Sequence, residues 1–227
     1  VATGYGMTHG KAQQERAFSM LNLSGYNIGT FAMPFVAGFL PPTGFLATCL
    51  FDAGNAIMCT GGTYALANSV TDASQHLSIK SFLRNVFSSI PFCIYLIMIV
   101  MAFLHLALPH PVIIFTKIAG DANAFLCMLM IGVNINLQMD SKSFRCLIKH
   151  ITVRYALSAV LAFLFYRYLP FSLEIRQAMA VIALAPSSSL ALIFTMKLKG
   201  DVIMAGNICS LSILLSTIAM TILLVYL

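Results

Sequence analysis

The hydrophobic positions of this chain form seven long runs that are separated by short polar stretches. A bilayer core about 30 Å thick is crossed by roughly 20 helical residues, and the runs are close to that length. Because the runs are continuous rather than alternating, they predict helices and not the strands of a membrane barrel. The predicted spans are residues 17–40, 44–68, 86–108, 122–139, 146–169, 174–197 and 202–226.

Composition strengthens this interpretation, because 59% of the residues are hydrophobic and only 9% are charged. A typical soluble domain has about 25% charged residues. We therefore expect an all-α integral membrane protein whose main partner is the lipid bilayer. Residues 1–16 read as a polar loop. The chain begins with Val rather than Met, so we expect a fragment whose N-terminal part is missing.

The basic residues predict an orientation, because Lys and Arg collect in cytoplasmic loops. With residue 1 inside, ten of the thirteen basic residues lie on the cytoplasmic side. The prediction is a multi-pass protein of the cell membrane, plasma or inner, with its C-terminus outside. The formal charge of +6 then reflects this bias and does not predict nucleic-acid binding. The ten residues predicted to be cytoplasmic are Lys11, Arg16, Lys80, Arg84, Lys142, Arg145, Lys149, Arg154, Lys197 and Lys199.

The first span is interrupted by residues that weaken a helix: Asn27, Gly29, Thr30 and Pro34. Proline has no N–H and crowds the preceding turn, which frees backbone groups that hydrocarbon cannot satisfy. Such a break persists only against protein, a water-filled cavity or a ligand. Asn27 and Thr30 offer side-chain partners, and the half-helix that begins near Pro34 should point its positive end inward.

An internal repeat relates the two ends of the chain. Ala53-Gly54-Asn55 recurs as Ala205-Gly206-Asn207, and Pro34 recurs as Pro186, both at an offset of 152 residues. The two proline-bearing spans run in opposite directions, so the repeat is inverted, as in transporters whose substrate lies at the midplane between discontinuous helices. We predict the rest of a first repeat in 1–68, a cytoplasmic linker in 69–85 and a complete second repeat of five helices in 86–227.

The sixth span repeats the interruption as Ala185-Pro186-Ser187-Ser188-Ser189, with three hydroxyls at positions suited to helix capping. Two positive half-helix ends that face each other at the midplane suit an anion. The predicted substrate-binding residues are Asn27, Thr30, Pro34, Pro186, Ser187, Ser188 and Ser189.

Asp52 is the only one of the seven acidic residues that lies deep in a predicted span. A charged side chain at that depth costs on the order of 3 kcal/mol on insertion scales, so we predict a coupling or proton-binding role for Asp52 together with Asn55. The alternative is that Asp52 ties its helix to Asn55 or to a neighbouring span. Asn134 and Asn136 are assigned to capping or bridging helices, with cavity lining as the alternative.

Catalytic and metal-binding patterns do not occur in the sequence. The six cysteines include no C-x-x-C pair and the five histidines lack ligand spacing, so we predict no metal and no cofactor. No phosphate-loop or hydrolase motif is present either. We expect no enzymatic activity.

Several motifs in order resemble the auxin efflux carrier family, whose bacterial members include permeases for malate, malonate and similar organic acids. N-I-G-T-F-A-M-P-F, G-F-L-P-P-T-G and the aspartate-bearing helix after them are similar to the family's fourth and fifth helices. M-L-M-I-G-V-N-I-N-L is similar to the seventh helix, and A-P-S-S-S-L-A-L-I-F with K-G-D-V-I-M-A-G-N is similar to the ninth and tenth. The resemblance covers essentially the whole chain.

The resemblance implies ten helices in two inverted five-helix repeats, with the fourth and ninth helices broken and crossing. Seven of the ten would be present here. Asn27 and Pro34 would match the first crossing helix and Pro186 the second. The implied function is secondary transport of small organic anions such as dicarboxylates, by alternating access around the crossing.

The alternative class is a seven-helix receptor or a channel. A retinal protein of that kind needs a lysine in the last span, and residues 202–226 contain none. The substrate, the direction of transport, the coupling to protons, sodium or membrane potential, and the oligomeric state, including a homodimer, stay open at this point.

Overall fold

The computed structural model describes residues 1–71, 90–133 and 141–227 and the single positions 80, 83 and 87. Within these residues the chain is helical and has no strand, which confirms the all-α prediction. Most of the predicted linker 69–85, together with Asn134 and Asn136, lies outside the described residues.

The helices are bounded as follows. In chain order they are α1 (Ala2–Met7), α2 (Gln13–Leu23), α3 (Met33–Phe39), α4 (Pro42–Ile57), α5 (Tyr64–Thr71), α6 (Ile90–Phe103), α7 (His110–Val133), α8 (Ser141–Tyr168), α9 (Leu173–Ala183), α10 (Ser189–Lys197) and α11 (Val202–Tyr226). A π-helical turn, Ile28–Ala32, leads directly into α3, and another, Met58–Thr63, joins α4 to α5. Such turns are rare and are frequent at functional sites.

The predicted spans agree with these helices best at the C-terminal end, where α11 covers residues 202–226. The span predicted to begin at 122 was placed wrongly, since α7 begins at His110. Lys117 and Asp121 divide the apolar stretch at that helix and hide its first half. The predicted N-terminal loop contains α1 and the start of α2.

Two helices in the described part of the chain are long and apolar enough to cross a membrane. They are α11 and the Ser143–Tyr168 part of α8. About a third of the most apolar stretch of each is buried inside the protein. Core helices of soluble proteins can have the same length and composition, so the membrane location stays a prediction.

Two helices are interrupted and meet at their interruptions. The first break, residues 24–27, separates α2 from the π-turn, and the second, residues 184–188, separates α9 from α10. The Asn27 N–H donates to the Pro186 carbonyl at 2.9 Å, and Tyr26 and Ser187 form an isolated antiparallel bridge. We call residues 24–27 and 184–188 together the crossing.

The first break does not lie at Pro34, as predicted, but at Gly25. Pro34 lies where the π-turn passes into α3, with helical backbone on both sides of it. Gly25 has φ +81°, and a Cβ there would lie 2.5 Å from the Cys59 Sγ. Because the second break does contain Pro186, the two prolines are not equivalent. The offset of 152 residues between them therefore does not relate the breaks.

The largest buried cluster packs around the crossing. It includes Ile28, Phe31, Val36, Val181 and Ile213, which come from the π-turn, α3, α9 and α11. Burial of these side chains fixes the half-helices on both sides of the breaks.

Candidate functional site

A cavity of about 750 Å³ lies against the crossing. Its walls come from the first break and π-turn, from α4 and the π-turn after it, from α6 and from α10. Its polar lining residues include Tyr26, Asn27, Thr30, Asp52, Asn55, Thr60, Tyr95, Ser188, Ser189 and Lys197. We call it the crossing cavity.

Two half-helices begin at this cavity. Asn27 is at the N-cap of the π-turn that leads into α3, and Ser188 is the N-cap of α10. The Ser188 Oγ accepts from the Leu190 N–H at 3.3 Å. The first N–H groups of a helix have no partner within the helix, and its dipole makes that end positive. Both positive ends are therefore directed to one space.

The Asn27 carboxamide connects the two helix starts. Its Nδ2 donates to the Ser189 Oγ at 3.2 Å, and its Oδ1 accepts from the Thr30 hydroxyl. Within the described residues it makes no hydrogen bond to the N–H groups of its own helix.

Asp52 is 7% exposed and lies on the wall of the same cavity. Its carboxylate accepts from the Tyr95 hydroxyl at 2.8 Å and from the Asn55 Nδ2 at 3.3 Å. Among the residues that the structure describes, no Lys or Arg forms an ion pair with Asp52. Lys197 is the one Lys or Arg among the described residues that line the cavity, and it is exposed. The carboxylate is thus held by neutral donors and faces the cavity.

Asn55 replaces the helical hydrogen bonds that the first break loses. Its Oδ1 accepts from the Tyr26 N–H at 3.1 Å, and its Nδ2 donates to the Tyr26 carbonyl at 2.9 Å. Asn55 thus joins α4 to the first break, and its predicted coupling role together with Asp52 stays a prediction. Asn207, its partner in the repeated A-G-N motif, is buried, and its Nδ2 has no hydrogen-bond partner among the described residues.

The second break is held by two serines of α11 that were not predicted. The Ser187 N–H donates to the Ser212 Oγ at 3.0 Å, and the Ser216 Oγ donates to the Leu184 carbonyl at 2.6 Å. Each break is thus stabilised by polar side chains of the second α-helix after it in the chain, which is α4 for the first break and α11 for the second. The first break is held by an asparagine and the second by serines. A search for repeated motifs therefore pairs Asn55 with Asn207 and does not pair it with Ser212 or Ser216.

The two asparagines should differ in their effect on stability. We expect Asn55→Ala to lower the free energy of unfolding by about 2 kcal/mol, because it leaves the partly buried N–H and C=O of Tyr26 without their hydrogen bonds to Asn55. Asn207→Ala, in the same A-G-N context, should cost less, since no hydrogen bond of its Nδ2 is lost. Thermal unfolding of both purified variants measures the difference. Equal losses would mean that Asn55 does not maintain the break.

Three of the predicted substrate-binding residues are not among the residues that line the crossing cavity. Pro34 belongs to α3, Pro186 accepts the backbone hydrogen bond of the crossing, and Ser187 is 1% exposed. The Ser187 Oγ donates to the Asn22 carbonyl at 3.0 Å. These residues shape the crossing, whereas Asn27, Thr30, Ser188 and Ser189 do line the cavity.

Arg154 was counted with the basic residues of the cytoplasmic side, and the structure shows that it is a buried residue rather than part of an exposed loop. It lies in α8, is 3% exposed, and its guanidinium donates to carbonyls of both breaks. The guanidinium also lies over the Tyr26 ring, 5.1 Å from its centroid. The sequence signal was an arginine eight residues inside a predicted span, which the charge count treated as part of a loop.

A second cavity, of about 570 Å³, shares Tyr26 and Asn55 with the first. Its other walls include Gly54, Arg154 and Ser158, none of which lines the crossing cavity. Tyr26 and Asn55 therefore separate two spaces.

No protein-family model, curated protein or solved structure matches this chain. The resemblance to the auxin efflux carrier family accordingly remains an expectation from the sequence motifs.

Proposed function

We propose that the chain belongs to a secondary membrane transporter of small organic anions, built from inverted repeats, and that the crossing cavity is its substrate site. The observation that carries this proposal is the convergence of two helix N-termini, with Asn27, Ser188 and Ser189, on one cavity. Each N-terminus is equivalent to about half a positive charge. A volume of about 750 Å³ is within the range of small-molecule sites.

The exposed faces of α6 and α7 support a membrane location. Large apolar side chains on them are well exposed: Ile97 by 58%, Phe103 by 81%, Phe115 by 73% and Ile118 by 66%. Soluble monomers rarely expose contiguous apolar patches larger than a few hundred Å². Lipid is the solvent that suits such faces.

The division of space at the crossing supports alternating access. Tyr26 and Asn55 form a thin partition between the two cavities, and Asn55 holds it by side-chain hydrogen bonds to Tyr26. A small movement of α4 relative to the first break would change which cavity a substrate reaches. The similar roles of α4 at the first break and α11 at the second support an inverted repeat.

The test is uptake by proteoliposomes that contain the full-length protein. A panel of radiolabelled mono-, di- and tricarboxylates should include at least one acid that is taken up and that competes with its unlabelled form. Vesicles without protein are the control. A folded protein that transports none of these acids, but binds an amine or a sugar, would contradict the proposal.

Asp52 should make this transport sensitive to pH. Asn can keep the hydrogen bond from Tyr95, so Asp52→Asn should remain folded while losing the one carboxyl group that lines the cavity among the described residues. We expect uptake by the variant to be nearly constant across the pH range in which a carboxyl group titrates, whereas wild-type uptake varies. An unchanged pH profile would assign Asp52 to structure alone.

A further inference from the structure

We propose that Arg154 is a built-in counter-cation of the crossing, which supplies the positive charge that a bound sodium ion supplies in other carriers with broken helices. In such carriers, unwound carbonyls and half-helix C-termini coordinate the coupling cation. The inference rests on the proposed transport function and adds that transport needs no inorganic cation at the crossing.

The contacts of Arg154 are those expected of a bound cation. One guanidinium donates to three carbonyl oxygens: Leu23 at 3.2 Å, Gly25 at 2.9 Å and Ala185 at 3.1 Å. Leu23 is the last residue of α2, Gly25 lies in the first break and Ala185 lies in the second. A cation at this point therefore links both broken helices, although the residue itself belongs to α8.

The positive charge of Arg154 is balanced by the negative ends of two helices. The C-termini of α2 and α9 lie next to these carbonyls, and each is equivalent to about half a negative charge, so together they offset one cation. Arginine stays protonated in proteins. Across the described residues no carboxylate forms an ion pair with Arg154. The carbonyls of the two breaks are thus the compensation that a buried charge requires.

The two kinds of helix end face different partners. The positive N-termini face the crossing cavity, where Asn27, Ser188 and Ser189 lie. The negative C-termini face Arg154, which lines the second cavity instead. A substrate anion and the fixed cation therefore stabilise opposite ends of the same breaks without sharing a site.

The first experiment varies the cation. Proteoliposomes with the wild-type protein should take up the transported acid at the same rate in sodium, potassium or choline buffer. The uptake rate of Arg154→Ala should be lower by a factor of about ten or more. The reason is that hydrogen bonds to charged groups contribute more free energy than hydrogen bonds between neutral groups. Millimolar guanidinium should restore uptake and raise the melting temperature of this variant but not of the wild type. Arg145→Ala, an exposed arginine of the same helix, is the matched control and should change neither quantity.

Three results would contradict the proposed role of Arg154. A sodium requirement of the wild type, full uptake by Arg154→Ala without added cation, or a folded variant that ignores guanidinium would overturn the proposal. If Arg154→Ala does not fold, two other variants replace it. Arg154→Lys should still transport without sodium, whereas Arg154→Gln should not. Equal transport by these two variants would also overturn the proposal. If the wild type transports no acid, the proposed function fails, while guanidinium-dependent melting of Arg154→Ala still tests the cation site.

Discussion

Gly25→Ala is expected to abolish transport and to destabilise the protein more than any other change proposed for the crossing. The backbone at Gly25 has φ +81°, and a Cβ there would lie 2.5 Å from the Cys59 Sγ and 3.2 Å from the Ser188 Cβ. Left-handed backbone costs a residue with a side chain about 1–2 kcal/mol, and overpacking adds about 1–3 kcal/mol. The Cys59 thiol cannot turn away freely, because it donates to the Asn55 Oδ1. The expected loss is a large fraction of typical protein stability, which is about 5–15 kcal/mol.

Thermal unfolding and uptake measure this effect, and Gly38→Ala is its control. Gly38 lies in α3 with open space around its Cα, so alanine there should be neutral or slightly stabilising. Adding Cys59→Ala to Gly25→Ala should recover the part of the loss that comes from the closest contact. Wild-type stability and uptake of Gly25→Ala would show that the first break does not depend on this glycine.

Asn27→Ala is expected to weaken the apparent affinity for the transported anion by roughly ten- to a hundredfold. Hydrogen bonds to charged groups contribute about 1.5–3 kcal/mol, and about 1.4 kcal/mol corresponds to a factor of ten. The variant should insert and fold, because the contact between the breaks is made by the Asn27 backbone N–H and remains. Substrate-dependent uptake by proteoliposomes gives the affinity, with Ser188→Ala as a second variant at the other helix start.

Two controls separate binding from structure. Asn207→Ala removes a buried carboxamide that does not line the crossing cavity and should leave the affinity unchanged. Asn136→Ala, predicted to be nearly silent, tests a residue outside the described part of the chain. An Asn27→Ala protein that keeps its affinity for every transported acid would mean that this amide only joins the two helix starts.

Sequence patterns predicted the existence of two breaks because polar and helix-weakening residues stand out in an apolar run. The sequence also predicted that Asn27 would lie near Ser188 and Ser189. Each of these polar residues stands beside a helix-weakening residue in one of the two interrupted spans. The position of the first break was not predicted, because Pro34 is conspicuous whereas the constraint on Gly25 comes from Cys59, a residue of another helix. A tertiary contact of this kind leaves no local signal.

Arg154 was missed for a related reason. Its partners are backbone carbonyls, which every residue has, so no complementary side chain marks them in the sequence. A count of basic residues by predicted side also treats an arginine within two turns of a span end as belonging to the loop. The position of Arg154 eight residues inside a predicted hydrophobic span is the signal that would have identified it.

The buried arginine of α8 also orders the steps of biosynthesis. An arginine at the centre of a single helix costs about 2.5–3.5 kcal/mol on insertion scales. The carbonyls of Leu23 and Gly25 are synthesised before Arg154, so in the proposed membrane transporter α8 would enter the bilayer beside a partner that offsets this cost. Ala185 is synthesised later and can join only an arginine that is already in place. We therefore expect α8 to assemble onto the first break, and the second break to assemble onto α8.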